Sequence, residues 1–272
     1  MALVLGYKRD PLDRPEPGGS LSNWWEKDKN VSKLLAAAPP RLAAGDVDLR
    51  QYCTPTNQYN LSACAGNASA DAVEIVTAVN EWLVAEVEGR PVVPVPQLSR
   101  LFVYSMARTL DGNLGKDEGT FIRSCFQVLS TFGIPEETIW PYEESKVFVS
   151  PSMIAQRAAL GHKIHSYYRI KSSGQDRLDE IVAALRAMKP VVFGTLVESS
   201  FQAGSGAAVV DPPKGATIGG HAMVVVGYIG GHFLVKNSWG SNWRDGGYVM
   251  LSAEYMAWPE TWDLWVPTLG FS

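Results

Sequence analysis

The sequence predicts an α+β fold, with a mainly helical first half, a largely antiparallel second half and a cleft where the two meet. Three observations predict it. Apolar residues repeat at helical spacing up to about residue 132, and β-rich runs dominate after Tyr142. No internal repeat or low-complexity tract points elsewhere. With 272 residues and 46% hydrophobic content, the chain can bury a core without cross-links.

Residues 1–45 are rich in Pro, Gly and charge and read as an arm, with a short helix expected near 24–35. Residues 62–88 place Ala72, Ile75, Val76, Val79 and Leu83 at helical spacing, with apolar residues or Ala on most sides, so this helix should be central and buried. Gly89 is placed to end it. Further helices are expected over 97–110 and 119–132, the second stopping before Gly133 and Pro135. Helices near 153–160 and 176–188 then sit among strands at 164–170, 191–197, 222–228, 233–236 and 248–251. The expected division is an arm over 1–45, a helical domain over 46–142 and a β-rich domain over 143–272.

Composition narrows the function. A net charge of -4 with no Lys/Arg run gives no electrostatic reason to bind nucleic acid or an anionic membrane. Three cysteines, Cys53, Cys64 and Cys125, do not look like a disulfide framework, and reduced thiols are the simpler reading. There is no Cys-x-x-Cys, and His162 and His165 lie in an apparent helix-to-strand junction, so neither a metal nor another cofactor is expected. The opening seven residues are too short for a signal-peptide core, and the best apolar run is broken by His221, Gly227, Gly230, Gly231 and His232. The expected location is the cytoplasm, with non-classical export left open.

Cys64 lies at the expected start of the central helix, where unpaired N–H groups and the helix dipole favour a thiolate. Alone it reads more often as a small buried hydrophobe. A nucleophile also needs a histidine within reach and a third group to fix that histidine's tautomer. His221 opens one apolar strand, Asn237 ends the next, and the turn at Gly230-Gly231 makes the pair a hairpin. With a strict two-residue loop, Asn237 would pair with Val224 and His221 would face away. A three-residue loop or one bulge pairs Asn237 with Met223 and puts His221 on the same face, so an odd loop or a bulge is expected. Taken singly, His221 reads as a core or rim histidine, Asn237 as a turn residue, Trp239 as a core aromatic and Gln58 as a solvated loop side chain. The joint pattern is what points to chemistry.

The segment Gln58-Tyr59-Asn60-Leu61-Ser62-Ala63-Cys64-Ala65 resembles the Gln-x-x-x-x-x-Cys stretch of the papain-like cysteine peptidases. Gly220-His221-Ala222 resembles that family's histidine motif, and Lys236-Asn237-Ser238-Trp239-Gly240-Ser241-Asn242-Trp243 with Gly246-Gly247-Tyr248 its asparagine motif. Val47-Asp48-Leu49-Arg50 is similar to the mature start of the family, Trp140-Pro141-Tyr142 to its Tyr-Pro-Tyr segment, and Pro190-Val191-Val192-Phe193 to a strand entering the second domain. The likeness spans about residues 46–266 and leans to the bacterial and viral branch, through the runs at 100–104 and 117–123.

The resemblance implies a two-domain fold, with a helical left domain, an antiparallel β-barrel-like right domain and the active site in the cleft between. It implies Cys64 as nucleophile, His221 as general base and acid, Asn237 as orienter and Gln58 as an oxyanion donor. Gly119, Thr120, Gly220, Ala222 and Trp239 would line the substrate site, with an apolar side chain expected beside His221. Partners would be a peptide or protein substrate and, in addition, a separate protein inhibitor. Departures are visible: Ser62-Ala63-Cys64-Ala65 replaces Gly-Ser-Cys-Trp, and Asp117-Glu118-Gly119-Thr120 replaces Cys-x-Gly-Gly, removing a common disulfide. The 45 residues of the arm are too few for a long inhibitory propeptide, and the arm is expected either to pack on the body and trim the cleft or to wrap on one domain as an ordinary extension. The same cleft also suits amidase, deamidase or transglutaminase chemistry, or a catalytically silent peptide-binding role.

Overall fold

The computed structural model describes residues 5–10, 28–37, 45–206 and 208–269. Within the arm, a short helix α1 (Val31–Ala37) buries Val31 and Leu34. Of the helix expected at 24–35, residues 28–30 are not helical and residues 24–27 lie outside the described residues.

A two-residue strand β1 (Val47–Asp48) leads into the central helix α2 (Cys64–Glu88), buried almost continuously from Cys64 to Val76. Small side chains make this possible: a Cβ on Gly66 would lie 2.8 Å from the Tyr104 Cβ, so glycine sets how closely the next helix approaches. Gly89, at φ 65°, ends α2 by returning its N–H to the Ala85 and Glu86 carbonyls. Helix α3 (Arg100–Leu110) begins where the Ser99 hydroxyl caps the Phe102 amide, and α4 (Ile122–Thr131) follows. Helix α5 (Met153–Ala159), capped by Ser152, leads into the sheet.

The sheet comprises β2 (Ser166–Ile170), β3 (Val191–Val197), β4 (Val209–Val210), β5 (Gly219–Ile229), β6 (His232–Lys236), β7 (Tyr248–Leu251) and β8 (Thr261–Thr268). Helices α6 (Gly174–Arg186), α7 (Ser199–Ala203) and α8 (Ala253–Ala257) connect them. Their order is β2-β8-β3-β5-β6-β7-β4, with β1 added to β5, and every pairing is antiparallel except β4 with β7. Among the described residues no pairing joins the two ends of this path, so the sheet does not close into a true barrel.

Strand β8 was absent from the sequence expectation, because Asp263 and Pro267 interrupt its apolar run. It nevertheless lies fully buried between β2 and β3, where Trp265 meets Phe126 of α4 and Tyr167 of β2 at ring-centroid distances of 6.2 and 5.5 Å. Tertiary burial of its two tryptophans outweighs the local propensity. Helix α2 packs on β5, which brings the start of α2 against the end of the sheet that carries His221.

Candidate active site

The β5–β6 hairpin turns on Gly230 and Gly231, at φ 56° and 87°, a left-handed pair that side chains would strain. The loop therefore has two residues. The register shifts instead at a bulge between Val225 and Gly227, leaving Val224 opposite Lys236 and, by continuation, Met223 opposite Asn237. The bulged Val226 uses its carbonyl to accept the Leu49 amide at 2.8 Å.

That register puts His221 and Asn237 on one face. His221 Nε2 lies 2.7 Å from Asn237 Oδ1, which also accepts the Ser238 amide at 2.8 Å. Because Oδ1 can only accept, Nε2 carries the proton, and Nδ1 keeps a lone pair that is buried with no hydrogen-bond partner. Trp239 stacks on the imidazole at 4.5 Å and 25°, and its own ring packs edge-on against Phe201 and Trp243.

Gln58 is fully buried rather than solvated. Its Nε2 donates to the Leu61 carbonyl at 2.9 Å, its Oε1 accepts the Ser238 hydroxyl at 2.6 Å, and its backbone amide donates to the Ser238 carbonyl at 2.8 Å. The loop before Cys64 is thus tied directly to the segment after Asn237. A second tie was not foreseen. Lys236, fully buried, bonds to Asp71 of α2 and to the Thr56 hydroxyl at 3.0 Å, fixing the end of β6 on the helix that begins with Cys64. The available signal was a lysine ending an otherwise apolar, buried strand.

Asp117 stands where the disulfide half-cystine of the resembled family would be. It accepts the Ser62 amide at 3.1 Å and the Tyr104 hydroxyl at 2.5 Å, so hydrogen bonds hold the two loops together. Cys53, Cys64 and Cys125 are free thiols.

The described part of the arm packs on the body beside the site, at positions the sequence did not specify. Residues 6–8 lie as a strand between the Gly119-Thr120 loop and the start of β5. The Thr120 amide donates to the Gly6 carbonyl at 3.2 Å, and the Thr120 carbonyl accepts the Lys8 amide at 3.3 Å, a parallel bridge. On the other side the Tyr7 amide donates to the Gly220 carbonyl at 3.3 Å. The Thr120 hydroxyl turns to Asp111 at 2.5 Å, leaving its backbone to the strand. Gly119, at φ 81°, has the Gly6 carbonyl where a Cβ would stand, only 1.7 Å away. Farther along, Arg123 bonds to Asp10 at 2.5 Å and to Asp28 at 2.6 Å, and Arg169 to Asp28 at 3.3 Å, pinning the arm to α4 and β2.

Cys64 and His221 are consequently sealed, both at 0% exposure. Burial pushes the Cys64 thiol up to about 11, against smaller lowering by the amides of Ala222 and Gly6. Burial also holds His221 down at about 4, partly offset by its bond to Asn237. The thiolate expected from the helix start is therefore not the form present under the arm: loss of water outweighs the helix dipole, and both groups are neutral. Trp239 also lines an open pocket of about 370 Å³, together with Asn57, Tyr59, Arg100 and Ser241.

A histidine bonded to its asparagine and a cysteine that opens the central helix lie at the junction of helices and sheet, the arrangement that the resemblance to thiol peptidases implies. The papain family cysteine protease model matches residues 101–258, more than half of the chain and including both His221 and Asn237, and the chain belongs to that family. An uncharacterized peptidase C1-like protein of Acanthamoeba polyphaga mimivirus is 31% identical over 260 residues, covering 90% of this chain and 80% of that one. Cathepsin K of Gallus gallus is 26% identical, over 90% of this chain and 65% of its own length. Among solved structures, xylellain, a cysteine protease from Xylella fastidiosa, superimposes with a TM-score of 0.74 at 26% identity, covering 98% of this chain and 96% of that one. A cysteine protease of Carica candamarcensis in complex with E-64 shares the fold, with a TM-score of 0.62 at 24% identity over 84% of this chain and all of that one. No described helix is long and apolar enough to cross a membrane.

Proposed function

We propose that this protein is a cysteine peptidase that hydrolyses peptide bonds through a thioester on Cys64. The observation that carries this reading is the His221 Nε2 to Asn237 Oδ1 bond of 2.7 Å, which leaves a buried Nδ1 lone pair with no partner on the residue before Ala222, whose backbone amide faces the Cys64 thiol. An imidazole so oriented takes the thiol proton, and the thiolate adds to the substrate carbonyl. The oxyanion is held by the Cys64 backbone amide and the Gln58 side chain. His221 then protonates the leaving amine, and water, activated by the same imidazole, hydrolyses the thioester. Trp239 shields the His221–Asn237 bond and faces the leaving-group pocket.

In this reading residues 6–8 keep the site latent. They occupy the Thr120 backbone groups that an extended substrate would use, and they hold the cysteine and histidine dry and neutral. Substrate entry requires the arm to leave; the two groups then rehydrate, and an ion pair between them becomes accessible. The test is profiling of a peptide library by mass spectrometry, comparing the wild type with Cys64→Ala. Cleavage that disappears in the variant supports a peptidase; deamidated or cross-linked peptides without cleavage would replace it with an amidase or acyl transferase.

A further inference from the structure

The pocket beside the nucleophile holds a side chain of the chain itself, and the fit of that side chain indicates what the pocket is shaped to receive. Tyr7 is 7% exposed. Its ring passes over Gly194, where a Cβ would come within 2.2 Å of the ring, and beside Gly220, where a Cβ would approach to 3.1 Å. Trp262 forms a wall, its ring centroid 6.3 Å from that of Tyr7. At the floor the phenol donates to Asp263 Oδ2 at 3.1 Å.

Asp263 is held there by unusual backbone. Strand β8 pairs Trp265 with Val192 and Trp262 with Gly194, so Asp263 and Leu264 together oppose the single residue Phe193. Such a bulge re-aims a side chain. Asp263 also sits at φ 57°, a conformation that costs a non-glycine residue energy and persists only where the surroundings impose it. Its Oδ1 accepts the Trp265 indole N–H at 2.6 Å, with Arg169 Nη2 at 3.9 Å, while Oδ2 faces the Tyr7 phenol.

The geometry points to Asp263 as the specificity-determining residue of this pocket, selecting peptides that present tyrosine there over the same peptides carrying phenylalanine; this rests on the peptidase reading above. A strand laid on the Thr120 backbone in place of the arm sends a side chain toward the same slot. An apolar side chain would bury Oδ2 without a donor, and a site built around a hydrogen bond rejects the analogue lacking it. The slot between Gly194, Gly220 and Trp262 suits a flat ring, and Arg169 already supplies a counter-charge to Asp263, so a neutral phenol fits better than a cation. The apolar preference expected from the sequence is thereby narrowed to an aromatic ring with a terminal donor.

The experiment uses the full chain carrying Gly6→Ala, whose added Cβ would lie 1.8 Å from the Ser62 carbonyl and so unseats the arm. Peptidyl epoxide probes differing only in tyrosine, O-methyltyrosine or phenylalanine are compared by the rate at which they alkylate Cys64, read by intact mass. The tyrosine probe is expected to react about tenfold faster than the other two, the factor that one buried hydrogen bond supplies. With Asp263→Ala added, the three rates should converge while labelling by iodoacetamide is unchanged. If that variant does not fold, the O-methyltyrosine comparison in the unmutated pocket serves alone, since it keeps the ring and oxygen but removes the donor. Equal rates for the three probes with peptide cleavage intact would overturn the pocket assignment only. Tyrosine-selective alkylation without cleavage of any peptide would uphold the pocket and overturn the peptidase reading.

Discussion

Asn237 reaches His221 because one residue, Val226, is displaced from the β5–β6 ladder. The bulge converts a two-residue turn that would separate the two side chains into a register that joins them at 2.7 Å. Asn237→Ala should lower kcat by about a hundredfold, within the usual range for a positioned acid and base, with KM little changed. Steady-state kinetics on a peptide substrate, using protein that melts as the wild type does, would show this; an unchanged kcat would remove Asn237 from the mechanism.

Gln58→Ala should slow the reaction without ending it. Removing one oxyanion donor costs roughly 3 kcal/mol of transition-state stabilisation, about a hundredfold in kcat/KM. Because Gln58 also bonds to Leu61 and Ser238, Tm is to be measured alongside. Cys64→Ala, by contrast, should leave no covalent turnover.

Gly6→Ala should expose Cys64. The thiol under the arm sits at about 11, so little thiolate exists at neutral pH, and iodoacetamide should label the wild type slowly. Unseating the arm should raise the labelling rate at pH 7 by at least about tenfold, since the thiol returns toward its ordinary range. Identical rates in both proteins would mean that residues 6–8 do not close the site.

Acid should destabilise the fold through His221. Its folded value of about 4 lies below the ordinary 6.5, so between these limits the unfolded chain binds a proton that the folded chain does not. Stability from this group is complete above pH 6.5 and is lost as pH falls toward 4, by roughly 3 kcal/mol in full. Urea denaturation across that window should show the slope in the wild type and its reduction in His221→Gln.

Lys236→Met should destabilise the protein by about 3–5 kcal/mol, because it leaves Asp71 as a buried, unpaired carboxylate. Adding Asp71→Leu should recover much of the loss. Chemical denaturation of the single and double variants measures both; a Lys236→Met cost under about 1 kcal/mol, as for a surface pair, would contradict the assignment.

Local patterns made much of this legible. Small residues at helical spacing marked α2 as buried, Gly89 marked its end, and the alternation of the hairpin required a register shift to bring His221 and Asn237 together. Which device would supply that shift was not legible, since a longer loop and a bulge give the same pairing. Nor was β8, whose Asp263 and Pro267 argue against a strand when read alone and are overruled by burial between β2 and β3.

By itself, then, the sequence determined the main helices, most of the strands and the register that joins His221 to Asn237, because spacing and turn chemistry act over short distances. Only the tertiary structure decided that Tyr7 lies on Asp263, 256 positions away, that Lys236 pairs with Asp71, and that the cysteine and histidine rest neutral beneath the arm. Each of these follows from which groups lose water together, and that is settled by packing between distant segments rather than by any local pattern.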